Sequence, residues 1–299
     1  MSSRLLEALK TRTLLGDGAM GTQLQLAGLE PGGCGEAWNA DHPKRVLEIH
    51  RCYVEAGSDC LITNTFGGCR IMLDRHEEGA RVGEINAAGA RIAREAFGGR
   101  EGFVIGDIGP FGGIMEPYGE IAEEIVRVAF REQAGALVAA GVDAVIIETQ
   151  TSYEELSIGI QEAKAAGAPC VIGSMAYDVT QDCSEIRTMM GISPEEAAQF
   201  MVEAGVDVVA VNCGAGVDVG WAARAVTAYR KICDFPTMAQ PNAGIPELIN
   251  MKAVYRQTPE EMVSELPSLL DAGASIVGGC CGSTPEHIAL FRKLLDQRS

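Results

Sequence analysis

Positive charge is scarce in this chain. Its 24 Lys and Arg residues stand against 41 Asp and Glu, a formal net charge of −17. Phosphate backbones and anionic membrane surfaces are held by clustered basic residues, so neither nucleic acid nor a membrane is an expected partner. A small zwitterion remains admissible, because it reads local groups rather than net charge. Long apolar runs are missing too. No stretch approaches the ~20 residues that cross a bilayer. Met1 to Thr13 carries scattered charges and no apolar centre, unlike a secretory signal. The expected location is the cytoplasm. Aromatic residues make up only 5% of the chain, whereas glycine occurs 36 times. That balance points to many tight turns between elements, as in α/β proteins.

Hydrophobic residues are plentiful, at 47% of 299 positions, enough to bury a sizeable core. A repeated phrase shows how they are organised. Ala56-Gly57-Ser58-Asp59 leads into Cys60-Leu61-Ile62, and Ala140-Gly141-Val142-Asp143 into Ala144-Val145-Ile146-Ile147. Ala204-Gly205-Val206-Asp207 leads into Val208-Val209-Ala210-Val211, and Ala272-Gly273-Ala274-Ser275 into Ile276-Val277. Each reads as a helix end, a glycine stop and a short buried strand. With the runs between them, eight strands are expected at 14–18, 59–65, 103–108, 144–149, 170–175, 208–213, 237–241 and 275–280.

Helical patterns fill the gaps, over Pro43 to Glu55, Ile121 to Ala140, Ser193 to Ala204 and Pro259 to Ala272. Ser193-Pro194-Glu195-Glu196 and Thr258-Pro259-Glu260-Glu261 place a cap, a proline and acids at helix starts. Thr284-Pro285-Glu286 repeats the signal. The strands are continuous apolar runs, as in buried parallel sheets. Eight of them alternating with helices predict an α/β chain folded as a (β/α)8 TIM barrel, a single domain over residues 1–299. A doubly wound open sheet is the alternative. Irregular stretches at 25–42, 109–120, 176–192 and 242–258 are then long loops on the C-terminal face, where such barrels place their sites.

The barrel gathers its strand-end residues around one mouth. These are Asp17, Gly18 and Ala19 after the first strand, Thr63, Asn64 and Thr65 after the second, and Glu148 on the fourth. Asn212-Cys213 ends the sixth, Gln240 to Gly244 follow the seventh, and Cys280-Cys281 end the eighth. Adjacent cysteines between glycines cannot easily bridge each other. They are either buried apolar fillers or ligands. Strands six and eight flank strand seven, which makes Cys213 the natural third partner. Three sulfurs leave one position of a tetrahedral zinc open, the arrangement of a catalytic site. Such a zinc would lower the pKa of a substrate thiol and hold it as a thiolate.

These motifs carry a resemblance. From Asp17-Gly18-Ala19-Met20-Gly21-Thr22 to Gly278-Gly279-Cys280-Cys281-Gly282-Ser283-Thr284-Pro285, the chain resembles the homocysteine S-methyltransferase family. Thr63-Asn64-Thr65-Phe66, Ile147-Glu148-Thr149, Val211-Asn212-Cys213-Gly214 and Pro241-Asn242-Ala243-Gly244 fall between in order. The resemblance implies a barrel, a zinc held by Cys213, Cys280 and Cys281, and homocysteine as methyl acceptor, giving methionine. It implies that Asp17, Gly18, Ala19 and Glu148 hold the amino-acid end, and that Asn242 can approach the metal when substrate is absent. Asn64 joins them as a substrate-binding candidate. Chemically, Asp17 and Glu148 can accept from an ammonium, and backbone N–H groups near Gly18 and Ala19 can bind a carboxylate.

Thr63 to Phe66, Pro241 to Pro246 and Arg187 to Gly191 look most like the homocysteine-binding module of cobalamin-dependent methionine synthase. The chain ends at Ser299, without room for folate, cobalamin or reactivation modules. The expected donor is therefore a methyl-corrinoid on a separate protein. S-methylmethionine or betaine as donor, another thiol as acceptor, and a non-catalytic zinc or partner-binding module are the alternatives. The stretch 178–186 lacks the glycine expected before Arg187. Cys34, Cys52, Cys60, Cys69, Cys170, Cys183 and Cys233 read as fillers or bystanders, and the four histidines as structural. Gly109 to Gly113 is wrongly spaced for a dinucleotide loop.

Overall fold

In a computed structural model that describes residues 3–249 and 252–298, the expected strands are present in order. They are β1 (Leu14–Leu15), β2 (Cys60–Ile62), β3 (Phe103–Ile108), β4 (Ala144–Gln150), β5 (Val171–Met175), β6 (Val208–Asn212), β7 (Thr237–Gln240) and β8 (Ile276–Val277). All eight run parallel in one sheet ordered β1-β8-β7-β6-β5-β4-β3-β2. The helices between them include Pro43–Glu55, Glu123–Ala139, Pro194–Ala204, Pro259–Asp271 and Pro285–Arg298. This is a nearly closed (β/α)8 barrel, not the open doubly wound sheet. Cys60, Ile105, Ile146, Ile172, Ala210, Met238 and Ile276 fill its interior, and a second layer packs between sheet and helices.

The repeated phrase has a physical purpose. Asp59, Asp143, Asp207 and Ser275 each stand just before an even-numbered strand. The backbone N–H of each donates to the preceding odd strand, at Leu15, Val104, Val171 and Thr237 respectively. Their side chains then accept the N–H of those same four residues, at 2.8 Å for the three aspartates and 3.3 Å for Ser275. Each pair of strands is thus clasped at the N-terminal face of the barrel.

Between β1 and β2 no backbone ladder forms, and side chains bridge the seam instead. Asp59 takes Leu15 N–H at the bottom, Ser58 Oγ donates to Gly16 O at 3.1 Å, and Asp17 Oδ2 takes Ile62 N–H at 2.9 Å near the top. β1, β2 and β8 are shorter than their apolar runs predicted. One further cross-strand bond follows each strand end, from Gly16 N–H to Val277 O, Thr63 N–H to Ile105 O and Gly278 N–H to Ala239 O, before the chain carries site residues over the mouth.

The expected loops hold small elements. Residues 178–187 form a hairpin in which Asp178 and Val179 pair with Arg187 and Ile186. No glycine is needed there because Cys183 takes the left-handed conformation, φ 53°, with Asp182 accepting from Thr180 Oγ1 and Ser184 N–H. A second hairpin joins Glu247–Ile249 to Lys252–Val254. Ser193 and Thr258 cap their helices as expected, each in a capping box, with Glu196 and Glu261 respectively. Among the described residues, no helix is long and apolar enough to cross a membrane.

Candidate active site

The three cysteines converge because β7 and the loop that follows it hold all of them by the backbone. Cys213 N–H donates to Gln240 O, Cys280 N–H to Pro241 O, and Ala243 N–H to Cys281 O. Cys213 sits at φ 54° and Gly214 at φ 88°. A side chain at Gly214 would run into the Tyr177 carbonyl, so glycine is required there. Asn212, fully buried, fixes the turn from the side. Its Oδ1 accepts from Thr149 N–H and Ser174 Oγ, and its Nδ2 donates to Thr149 Oγ1.

The sulfurs of Cys213 and Cys281 lie 3.8 Å apart, those of Cys280 and Cys281 4.0 Å, and all three fall within 4.8 Å of one another. Tetrahedral bonds of about 2.3 Å to zinc place sulfurs about 3.8 Å apart. The donor set and its spacing therefore fit that ion. Without metal, hydrogen bonds from Cys213 and then Cys280 pull the Cys281 thiol down to about 3, whereas Cys280 is pushed up by its contacts with Cys213 and Cys281. Cys213 is pushed up as well, to about 12, so the negative charge of the metal-free cluster falls on Cys281. Tyr255 also reaches Cys281, with its ring packed against Gly282.

Beside the sulfurs lies a cavity of about 390 Å³. Asp17, Gly18, Ala19, Asn64 and Glu148 line it, as do Cys213, Cys280 and Cys281. So do Glu36, Asp107 and Gln240, three residues the sequence reading left aside. A charged residue inside the apolar run of β3 was the available signal for Asp107. Gln240 sat in the strand-end ring without an assigned role, and nothing local marks Glu36.

The cavity wall holds four carboxyl groups and, among the described residues, no Lys, Arg or His. Two of the four are committed elsewhere, Asp17 to Ile62 N–H and Glu36 to Gly67 N–H. Burial pushes the Glu148 carboxyl up to about 7, with the charge of Cys281 adding to it. Burial raises Asp17 as well, against the pull of its Ile62 hydrogen bond. Such a wall is suited to a cationic group.

Ala19 is pinned to the β8 loop by Ser283, whose Oγ accepts Ala19 N–H at 3.2 Å and donates to Cys280 O at 2.7 Å. A carboxylate would therefore use the neighbouring amides of Met20, Gly21 and Thr22, which open the helix Met20–Leu26 along the cavity wall. Asn64 spends its amide on Gly35 O and Asn39 Oδ1, holding the loop 25–42 against β2. Asn242 stands behind the cluster. Its Nδ2 donates to Gly214 O at 2.8 Å, and its Oδ1 is buried without a partner. The other seven cysteines lie outside the sulfur cluster, and all ten are free thiols.

A barrel with three thiols and an acid-walled cavity at its mouth has the donors to hold a metal ion beside a space suited to a small cationic or zwitterionic ligand. Residues 14–295 match the homocysteine S-methyltransferase family, and the chain belongs to it. Among curated relatives, the methionine synthase of Mycobacterium tuberculosis is 34% identical over 302 residues, covering 95% of this chain and 25% of that protein. That of Mycobacterium leprae is 34% identical over 300 residues, with 95% and 24% coverage. The chain thus spans about a quarter of the length of these relatives. The metallated form of the homocysteine methyltransferase MmuM from Escherichia coli superposes with a TM-score of 0.78 at 22% identity, covering 99% of this chain and 100% of that one. At that identity the likeness speaks for the fold.

Proposed function

We propose that the protein is a zinc-dependent S-methyltransferase that moves a methyl group to homocysteine, giving methionine, with residues 1–299 acting as one barrel domain. The observation that carries this reading is the sulfur triad opening onto a cavity walled by carboxyl groups. Cys213, Cys280 and Cys281 would hold the zinc, which when bound lowers a thiol's pKa and keeps it a thiolate at neutral pH. Glu148 and Asp17 face the substrate's ammonium. The amides after Ala19 receive its carboxylate, and the cavity directs its sulfur to the triad. Asn242 is placed to move toward the metal when substrate leaves, since its Oδ1 lacks a partner.

The donor we propose is a methyl-corrinoid carried by a separate protein. The 34% identity to methionine synthases supports it. So do apolar side chains exposed on the loops of the mouth, Leu26, Ile114, Tyr118, Met189, Met190 and Ile245, where a macromolecular donor would dock. We place the reaction in the cytoplasm, whose reducing conditions suit ten free thiols.

Cys280→Ser or Cys281→Ser is expected to strip the metal and abolish methyl transfer. Full zinc content and activity in those variants would sink the reading. Turnover with methylcobalamin, S-methylmethionine and betaine, measured side by side, tests the donor. A thiol panel tests the acceptor. X-ray absorption unchanged by homocysteine would instead favour a closed, non-catalytic zinc site.

A further inference from the structure

Asp107 lies on β3 near its C-terminal end and is 3% exposed. Its main chain is held from two sides. Thr63 Oγ1 accepts its N–H at 3.0 Å, and its carbonyl accepts from Thr65 Oγ1 at 2.8 Å and from Gln133 Nε2 at 3.0 Å. The segment after β2 and the helix Glu123–Ala139 thus fix where the side chain begins. The carboxyl group itself has no such anchor, for Oδ1 is buried with no hydrogen-bond partner. It borders the same cavity as Glu148, and Glu148 is the strongest charge acting on it.

A buried carboxylate without a donor is costly, and burial, then the charge of Glu148, raises the Asp107 carboxyl; a cation entering the cavity would supply the missing donor and favour the charged form. Asp17 and Glu36 each give one oxygen to a backbone N–H, whereas Asp107 and Glu148 border the cavity without such a bond among the described residues, and so have the most to gain from a cation. An ammonium has three donors and can engage two carboxylates at once.

We propose that Asp107 is a specificity-determining residue that shares the substrate's ammonium group with Glu148 and so restricts the site to α-amino thiols. The proposal rests on the homocysteine reading above. It gives Asp107 no part in metal binding or in the reacting bond.

The test compares ligands that differ only in the amino group. In zinc-loaded protein, Asp107→Asn is expected to lower kcat/KM for homocysteine about 10- to 100-fold, through KM, as the loss of one charge-assisted hydrogen bond predicts. The rate with 4-mercaptobutyrate, the deamino analogue, should stay within about threefold, because that ligand never used the carboxylate. Calorimetry gives a metal-independent readout. Wild-type protein should prefer methionine to 4-(methylthio)butyrate, and D107N should lose most of that preference.

Equal losses for amino and deamino ligands, or an unchanged preference, overturn the proposal and leave the homocysteine reading standing. Wild-type protein that binds neither homocysteine nor methionine overturns that reading and this role together. Asp107→Ser leaves the backbone anchors in place and gives the same comparison should the asparagine variant fold poorly.

Discussion

At the scale of single residues, Asn212 decides where two other side chains stand. Thr149 adopts φ 58° and Cys213 φ 54°, in a region that β-branched and bulky residues seldom enter. Asn212 reaches both the backbone and the hydroxyl of Thr149 and sits next to Cys213 in the chain. Asn212→Ala would leave buried groups unpaired. A loss of about 2–4 kcal/mol in urea unfolding is expected, together with weaker zinc retention against a chelator. Glu155 supplies a different kind of test, away from the sulfurs. Its Oε1 accepts Phe111 N–H at 2.7 Å, yet burial dominates and pushes its carboxyl up to about 7. A carboxyl raised in the folded state contributes stability below its unfolded value, and that contribution is lost as pH rises through the folded one. Glu155→Gln keeps an acceptor for Phe111 and removes the titration. Its stability relative to wild type should therefore climb between about pH 4.5 and pH 7, by on the order of 3 kcal/mol in full. A pH series of unfolding curves reads the difference directly, and parallel curves would contradict the assignment.

At the scale of elements, the turn after β6 and the helix starts carry separable loads. Gly214→Ala places a methyl group against the Tyr177 carbonyl at a positive φ. It should displace Cys213 and reduce zinc content even where the protein folds. Thr258→Ala removes one half of a capping box. A loss of about 1 kcal/mol is expected, with zinc content unchanged. Thermal unfolding and metal analysis together distinguish the two. Elements of this kind were legible in the sequence, since glycine stops, capping residues and apolar runs are local chemistry. Less legible was what the chain does once it leaves the sheet. β8 ends at Val277, yet the N–H groups of Gly278, Gly279 and Cys280 still donate to Ala239, Asp17 and Pro241, so the cysteines are held by backbone bonds beyond the strand. The 178–187 hairpin turns on Cys183 in a conformation normally given to glycine. The candidate site was legible where side chains are chemically distinctive, as in the three cysteines that the fold brings together. It was not where a residue's role depends on which of its hydrogen bonds are already spent. Asn64 and Asp17 look alike as strand-end polar groups. Only the fold shows that one braces a loop and the other spans a seam.

At the scale of the whole molecule, the barrel is closed by unlike means. Among the described residues, seven strand junctions are backbone ladders, and the eighth is a row of side chains with a single backbone bond, from Asp59 N–H to Leu15 O. Asp59 is its lower rivet, accepting from Leu15 N–H, Arg12 and Arg292. Asp59→Ala is expected to cost roughly 2–4 kcal/mol. Amide exchange at Leu15 should quicken more than exchange in β4 or β5. Uniform quickening across all eight strands would show that the seam is no weaker than the ladders.

The clasps at the barrel floor bear on the chemistry at its mouth. Asp59, Asp143 and Ser275 lie five residues before Asn64, Glu148 and Cys280, and Asp207 lies six before Cys213. Each even strand is thus a short ruler, pegged at one end and read at the other. One residue added between peg and reading would advance the far end by about 3.3 Å and turn its side chain to the opposite face. That displacement exceeds a zinc–sulfur bond of about 2.3 Å. The position of the sulfurs is therefore set by counting along the chain, from a floor that never touches the substrate.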